Sequence, residues 1–139
     1  MFLLDTTVLS ELRKNEAGRA NKGVIDWAED TSEELLFVSV ISIQELELGA
    51  LLAERRDPPQ GAALRQWLDD GVVLAFFDRI LPLDVPIARR AAGFHVPDPA
   101  PERDAMIGAT ALMHGMAVVT RNVKDFKRFD GLEVLNPWT

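Results

Sequence analysis

The sequence predicts an α/β fold, a mostly parallel sheet with helices on both faces, and three observations carry that expectation. Short apolar runs, Phe2–Leu4, Leu35–Val40, Ile80–Leu83 and Ala117–Thr120, alternate with segments of helical periodicity. No hairpin dipeptide joins successive runs, so the strands need long crossovers, which cover the sheet on both sides. The chain has 139 residues, 47% hydrophobic and 27% charged, with no internal repeat and no linker-like composition shift. One domain, residues 1–139, is expected, too apolar for intrinsic disorder and large enough for a core.

Phe2–Leu4 reads as the first strand, ending at Asp5, with Thr6-Thr7 turning into the helix VLSELRK. Val24, Trp27 and Ala28 recur at helical spacing, and Leu35–Val40 is a second strand. Ser42-Ile43-Gln44-Glu45 has the spacing of a capping box and predicts a helix from there to Glu54, which Asp57-Pro58-Pro59 breaks. A further helix is expected from near Gly61, its end somewhere in 72–77. Ile80–Leu83 is a short third strand, and Asp84 caps a helix over Val85–Phe94 that tolerates Pro86 in its first turn. His95–Pro101 is a loop, Glu102–His114 a helix closed by Gly115, Ala117–Thr120 a buried strand and Glu133–Leu135 a fifth.

Composition removes several function classes. There is no cysteine, hence no disulfide framework, thiolate zinc site or cysteine nucleophile, and a cytoplasmic location is expected. The N-terminus has no basic n-region and no apolar run approaches ~20 residues, so neither secretion nor membrane insertion is expected. Fifteen basic against 22 acidic residues give a net charge of −7, which argues against a protein that coats nucleic acid with a broad basic surface. A phosphate-bearing partner has to be held locally. Arg121, Lys124, Lys127 and Arg128, against the single acid Asp125, form the one local reversal of charge. Arg121 and Lys124 are the candidates for contact with phosphate, with a solvated surface loop as the alternative.

In an open parallel sheet, ligands bind beyond the carboxyl ends of the strands, where strand order reverses. Asp5 and the Thr120-Arg121-Asn122 turn stand at such ends. Each candidate carboxylate also has a structural explanation: Asp5 as a helix cap, Glu45 as the reciprocal member of the capping box, and Asp104 as an anion in the first turn of a helix. Their recurrence where a doubly wound fold would gather them suggests a shared site. Clustered carboxylates need a proton or a cation, and Mg²⁺ or Mn²⁺ suits an all-oxygen site that acts on phosphodiesters. Zinc-protease HExxH, serine-hydrolase GxSxG and the GxxxxGK[ST] phosphate loop are all missing. His95 and His114 read as a loop residue and a favourable cation near a helix end.

The pieces LLDTTVLSEL, VSVISIQELELGA, RILPLD, RDAMIGATAL, VVTRNVKDF and the closing LNPW, in that order and spacing, resemble the PIN-domain ribonucleases of the VapC and FitB toxin group nearly end to end. The resemblance implies an α/β/α sandwich, Mg²⁺-dependent RNA cleavage (Mn²⁺ as a substitute), inhibition by a cognate small antitoxin, and homodimers that assemble further with it. It assigns Asp5, Glu45 and Asp104 to the acidic triad, with Asp5 and Asp104 as metal anchors and Glu45 holding the ion or orienting water. Asn122 stands where relatives often carry a fourth acid, and Asp125 belongs to an Asp-Phe pair after the strand. Thr7 replaces the usual Asn or Ser, while Thr6 is expected to keep a hydroxyl beside Asp5. Two other readings compete. Asp5-Thr6-Thr7-Val8 superficially resembles the nucleophile loop of haloacid-dehalogenase phosphatases, but Thr7 stands where the second Asp belongs. A non-catalytic RNA-binding module with a degenerate metal site is the other, and the three retained carboxylates argue against it.

Overall fold

Leu3 and Leu4 are both fully buried, and they point to opposite sides of the strand β1 (Phe2–Leu4). That alternation sets up the molecule, described over all 139 residues by a computed structural model. Leu4 joins Val8, Leu9, Val24, Val38, Leu68, Val72 and Val119 in one core. Leu3 joins Ile41, Ala105, Ile107, Ala111, Val118, Phe126 and Phe129 in the other. The sheet thus has a core and a helix layer on each face, the three-layer α/β/α architecture the sequence predicts. Truncating Leu3 or Leu4 to Ala would open one layer at a cost of about 2–5 kcal/mol.

The other strands are β2 (Leu36–Ser39), β3 (Ile80–Leu81), β4 (Ala117–Val119) and β5 (Val134–Leu135). All pairings are parallel, in the order β3-β2-β1-β4-β5. The chain winds outward from β1 through β2 to β3, then crosses to the other side for β4 and β5. Strand order therefore reverses between β1 and β4, where Leu4 pairs with Val119, and a crevice opens beyond those two residues.

Seven α-helices fill the crossovers: α1 (Thr6–Arg13), α2 (Lys22–Asp30), α3 (Val40–Arg56), α4 (Pro58–Gln66), α5 (Val85–Gly93), α6 (Glu102–His114) and α7 (Val123–Lys127). α6 has the bounds expected from sequence, closed by Gly115 at φ +67°, and Asp84 caps α5 by accepting from the Ile87 N–H at 3.0 Å. Two expectations need correction. α3 begins at Val40, not at Ser42, because Ser39 is the cap and accepts from the Ile41 N–H at 3.0 Å. Ser42 and Glu45 therefore lie inside the helix, and no capping box forms. α4 begins at Pro58, not near Gly61: Asp57 ends α3 and caps α4, with proline in the first turn where its missing N–H costs nothing. The break read at Asp57-Pro58-Pro59 is thus a hairpin between two helices. Gly61 permits its tight closure, since a Cβ there would strike the Glu54 backbone. The helical path continues as a π-helical stretch, Trp67–Leu74. In the basic segment, the buried Phe126 anchors α7. No helix is long and apolar enough to cross a membrane.

Candidate active site

The crevice beyond β1 and β4 is an open cleft of about 340 Å³, and Asp5, Glu45, Asp104 and Asn122 all line it. Asp5 is carried there by the end of β1, its N–H donating to Val119 O at 2.9 Å. It occupies the N-cap position of α1 with extended backbone, yet its carboxylate makes no capping bond. Oδ2 instead accepts from Thr7 Oγ1 at 3.0 Å and Thr120 Oγ1 at 2.8 Å. These donors are what let an anion sit at 4% exposure. Thr120 Oγ1 in turn accepts from the Asn122 N–H at 2.9 Å, tying the turn after β4 to the carboxylate. Both bonds to Asp5 fall on Oδ2. No buried side-chain polar atom in the chain lacks a partner, so Oδ1 opens to solvent.

The hydroxyl beside Asp5 is therefore that of Thr7, not of Thr6 as expected. Thr6 turns the other way, donating to Glu45 Oε1 at 3.1 Å, with its Oγ1 3.0 Å from Ser42 Oγ. Successive positions at the start of α1 thus serve the two carboxylates, one each. Burial pushes the Glu45 carboxyl above its ordinary value, and the Asp5 charge adds to this against the Thr6 hydrogen bond and Arg103. The Arg103 guanidinium is 3.8 Å from Oε2, too far to neutralise it fully.

Asp104, in the first turn of α6, is pushed up to about 6, first by burial and then by the charges of Asp5, Asp125 and Glu45. The positive end of the α6 dipole favours the anion, but three neighbouring carboxylates outweigh it. Asp125 thus contributes to the charge of the site without lining the cleft. Asn122 is exposed at the start of α7 and makes no side-chain cap. Arg121 lines the cleft, whereas Lys124 is exposed on α7 outside its lining.

Ser10, Glu11, Lys14 and Trp138 also line the cleft, and sequence reasoning passed over them. Thr7, Ser10, Glu11 and Lys14 follow helical spacing along α1, so a polar stripe facing the site could have been found. Glu11 is buried; the Asn21 N–H donates to it at 2.8 Å and holds its carboxyl below the ordinary range, with Lys14 at 3.1 Å assisting. A larger groove of about 560 Å³, lined by Arg13, Arg19 and Trp67, adjoins through Lys14 but holds only Glu16 and Asp70 as acids. The chemistry lies in the smaller cleft.

No three acidic or histidine side chains converge into a ready-made metal cage. The donors do fit a hard divalent ion, which keeps several waters and needs only one or two carboxylates. Asp5 Oδ1 and Asp104 offer those oxygens, and a cation would offset both the burial and the like charge that raise Asp104 and Glu45.

A family model described as PIN domain matches residues 2–132. The VapC ribonuclease Y4jK of Sinorhizobium fredii is 34% identical over 143 residues, covering 99% of this chain and 98% of that protein. Toxin FitB of Neisseria gonorrhoeae is 34% identical over 145 residues, covering 99% of each. The crystal structure of FitAcB from Neisseria gonorrhoeae superposes with a TM-score of 0.87 at 31% identity, covering 99% of both chains.

Proposed function

Because the chain belongs to the PIN-domain family, in its VapC and FitB group of toxins, we propose that it is the toxin of a toxin–antitoxin pair and a Mg²⁺-dependent endoribonuclease. The observation that supports this most is the convergence of Asp5, Glu45 and Asp104 on one cleft, where burial first and like charge second push Asp104 up to about 6 and raise Glu45. A bound Mg²⁺, with Mn²⁺ as a substitute, would supply charge neutralisation at the attacked phosphate and a more acidic water.

The protein's own groups divide the remaining work. Thr7 and Thr120 fix Asp5 through Oδ2 and leave Oδ1 without a protein donor, and Asp104 lines the same cleft from α6. These two are the metal anchors. Glu45, held by Thr6 and raised above its ordinary value by burial, accepts a proton from the attacking water. Asn122 offers an amide oxygen where a fourth acid would repel, and Arg121 receives a substrate phosphate at the rim. Attack by water needs no 2′-hydroxyl, so it leaves a 5′-phosphate and a 3′-hydroxyl. An antitoxin that places an Arg or Lys among these carboxylates would silence the site by filling the same charge deficit. The protein would work in the cytoplasm, in a homodimer that joins further with its antitoxin.

The test is cleavage of single-stranded RNA by antitoxin-free protein with and without Mg²⁺. Metal-dependent cleavage that Glu45→Gln abolishes supports the reading. Since Glu45 caps nothing, full activity in that variant would contradict its role, and no cleavage in any divalent metal would contradict the reading itself.

A further inference from the structure

The cleft is polar on every side but one. Trp138, in the closing LNPW motif, is the only apolar residue among those that line it. Part of the indole packs against the core that contains Leu4 and Val8, which fixes its position, while the rest borders the same space as Asp5, Glu45 and Asp104. The segment that carries it is tied down with unusual care. Asn21 Nδ2 donates to Thr139 O at 3.0 Å, and the Thr139 N–H donates back to Asn21 Oδ1 at 3.2 Å. The Trp138 N–H donates to Asn136 Oδ1 at 3.0 Å. Gly23, in the first turn of α2, leaves room for the segment to lie close, since a Cβ there would meet Pro137 O and the Thr139 side chain. The Arg121 guanidinium lies over the Trp138 ring, 5.8 Å from its centroid, so a base that stacks there takes its place and the guanidinium turns to the phosphate.

We propose that Trp138 is a substrate-positioning residue on which a nucleobase of single-stranded RNA stacks beside the scissile phosphate, with Arg121 on the adjoining phosphate. This rests on the ribonuclease reading. An aromatic face beside a cation suits one nucleotide of single-stranded nucleic acid: the ring takes the base, the cation the backbone charge, and the fit tolerates any base because each has a π-face. The clamp at Asn21 and the bare backbone at Gly23 then serve to hold the platform still, so that stacking fixes which phosphate reaches the carboxylates.

The test compares wild type, Trp138→Leu, Trp138→Phe and Gly23→Ala. The probes are one fluorescent single-stranded RNA and versions of it carrying a single abasic site at each position. Affinity is read by anisotropy with Ca²⁺ in place of Mg²⁺, and cleavage is read separately with Mg²⁺. In wild type, an abasic site at one position should weaken binding about fivefold, the low end for loss of one base–aromatic stack. Trp138→Leu should weaken binding of intact RNA by a similar factor and no longer respond to that abasic site, with kcat/KM lowered by at least that factor. Trp138→Phe should restore most of the loss. Gly23→Ala, which displaces the segment without touching the indole, should resemble Trp138→Leu. A purely structural Trp138 would lower Tm in the leucine variant but leave the response to the abasic site intact, and that result overturns the proposal. So does Trp138→Phe behaving no better than leucine. Cutting without dependence on Trp138 rejects the stacking alone, binding through Trp138 without cutting rejects the ribonuclease reading alone, and a wild type that neither binds nor cuts RNA rejects both.

Discussion

Of the three carboxylates on helix α3, Glu45 and Glu47 stand only two positions apart, and they live in opposite electrostatic worlds. Glu47 meets Arg65 of α4 at 2.7 Å, and the same guanidinium meets Glu54 at 3.0 Å. That hydrogen-bonded cation holds the Glu47 carboxyl below its ordinary value. Glu45 is raised, first by burial and then by the Asp5 charge, with Arg103 only at 3.8 Å. Where the chain supplies its own cation, an acidic cluster is a brace between helices. Where it withholds one, the charge is left for something from outside.

The largest expected effect breaks this contrast at its acidic end. Asp104→Asn and Asp5→Asn should each lower Mg²⁺-dependent cleavage by at least about 100-fold, since each removes an anionic ligand with little change of shape. Circular dichroism should show both folded, and turnover near wild type in either would remove it from the site. Thr120→Val sharpens the contrast from the supporting shell, because it deletes one of the two donors on Asp5 Oδ2. Metal affinity measured by calorimetry should fall about 10- to 100-fold, as when a ligand loses its orienting partner.

A third, smaller effect follows from pH. The folded value of Asp104, about 6, lies above the 3.8 of an ordinary Asp, so between those pH values the folded chain binds the extra proton. By linkage, the metal-free protein is most stable below about pH 4 in this respect and loses stability as pH rises to 6. The loss is about 1 kcal/mol once the screening of a half-exposed group is allowed for. Denaturant melts in chelator should show this slope in wild type and not in Asp104→Asn. Smallest of all, Arg65→Gln should slightly lower Tm while leaving cleavage and the Mg²⁺-induced rise in Tm unchanged, because its carboxylates are exposed partners in a surface brace. A loss of Mg²⁺ response in this variant would dissolve the distinction between the two clusters.

The fold was largely legible because its signals are local. Gly115 stops α6, Asp84 caps α5, and the apolar triplets before Asp5 and Thr120 can only be short buried strands. That Asp5, Glu45 and Asp104 would share one cleft was legible too, but which groups they bond was not. Asp5 and Glu45 both sit in patterns that a helix cap explains, and only the tertiary fold decides that Ser39 caps α3 while Thr120, 115 residues away from Asp5 in sequence, claims its carboxylate. Likewise the choice between Thr6 and Thr7 depends on which way α1 rolls against α3, which periodicity does not encode. Trp138 was visible in a motif, but its place in the cleft depends on contacts with Asn21 and Gly23 at the far end of the chain.

A shortage of positive charge in the cleft, which a divalent ion would meet, is the feature on which the chemistry of the site turns. It is tested most directly by carboxyl-carbon NMR of Asp104 during a pH titration, with and without millimolar Mg²⁺. Titration near pH 6 in the metal-free protein and a shift to well below the ordinary Asp range when Mg²⁺ is present is the expected result. Titration near the ordinary 3.8 that Mg²⁺ does not move would contradict it.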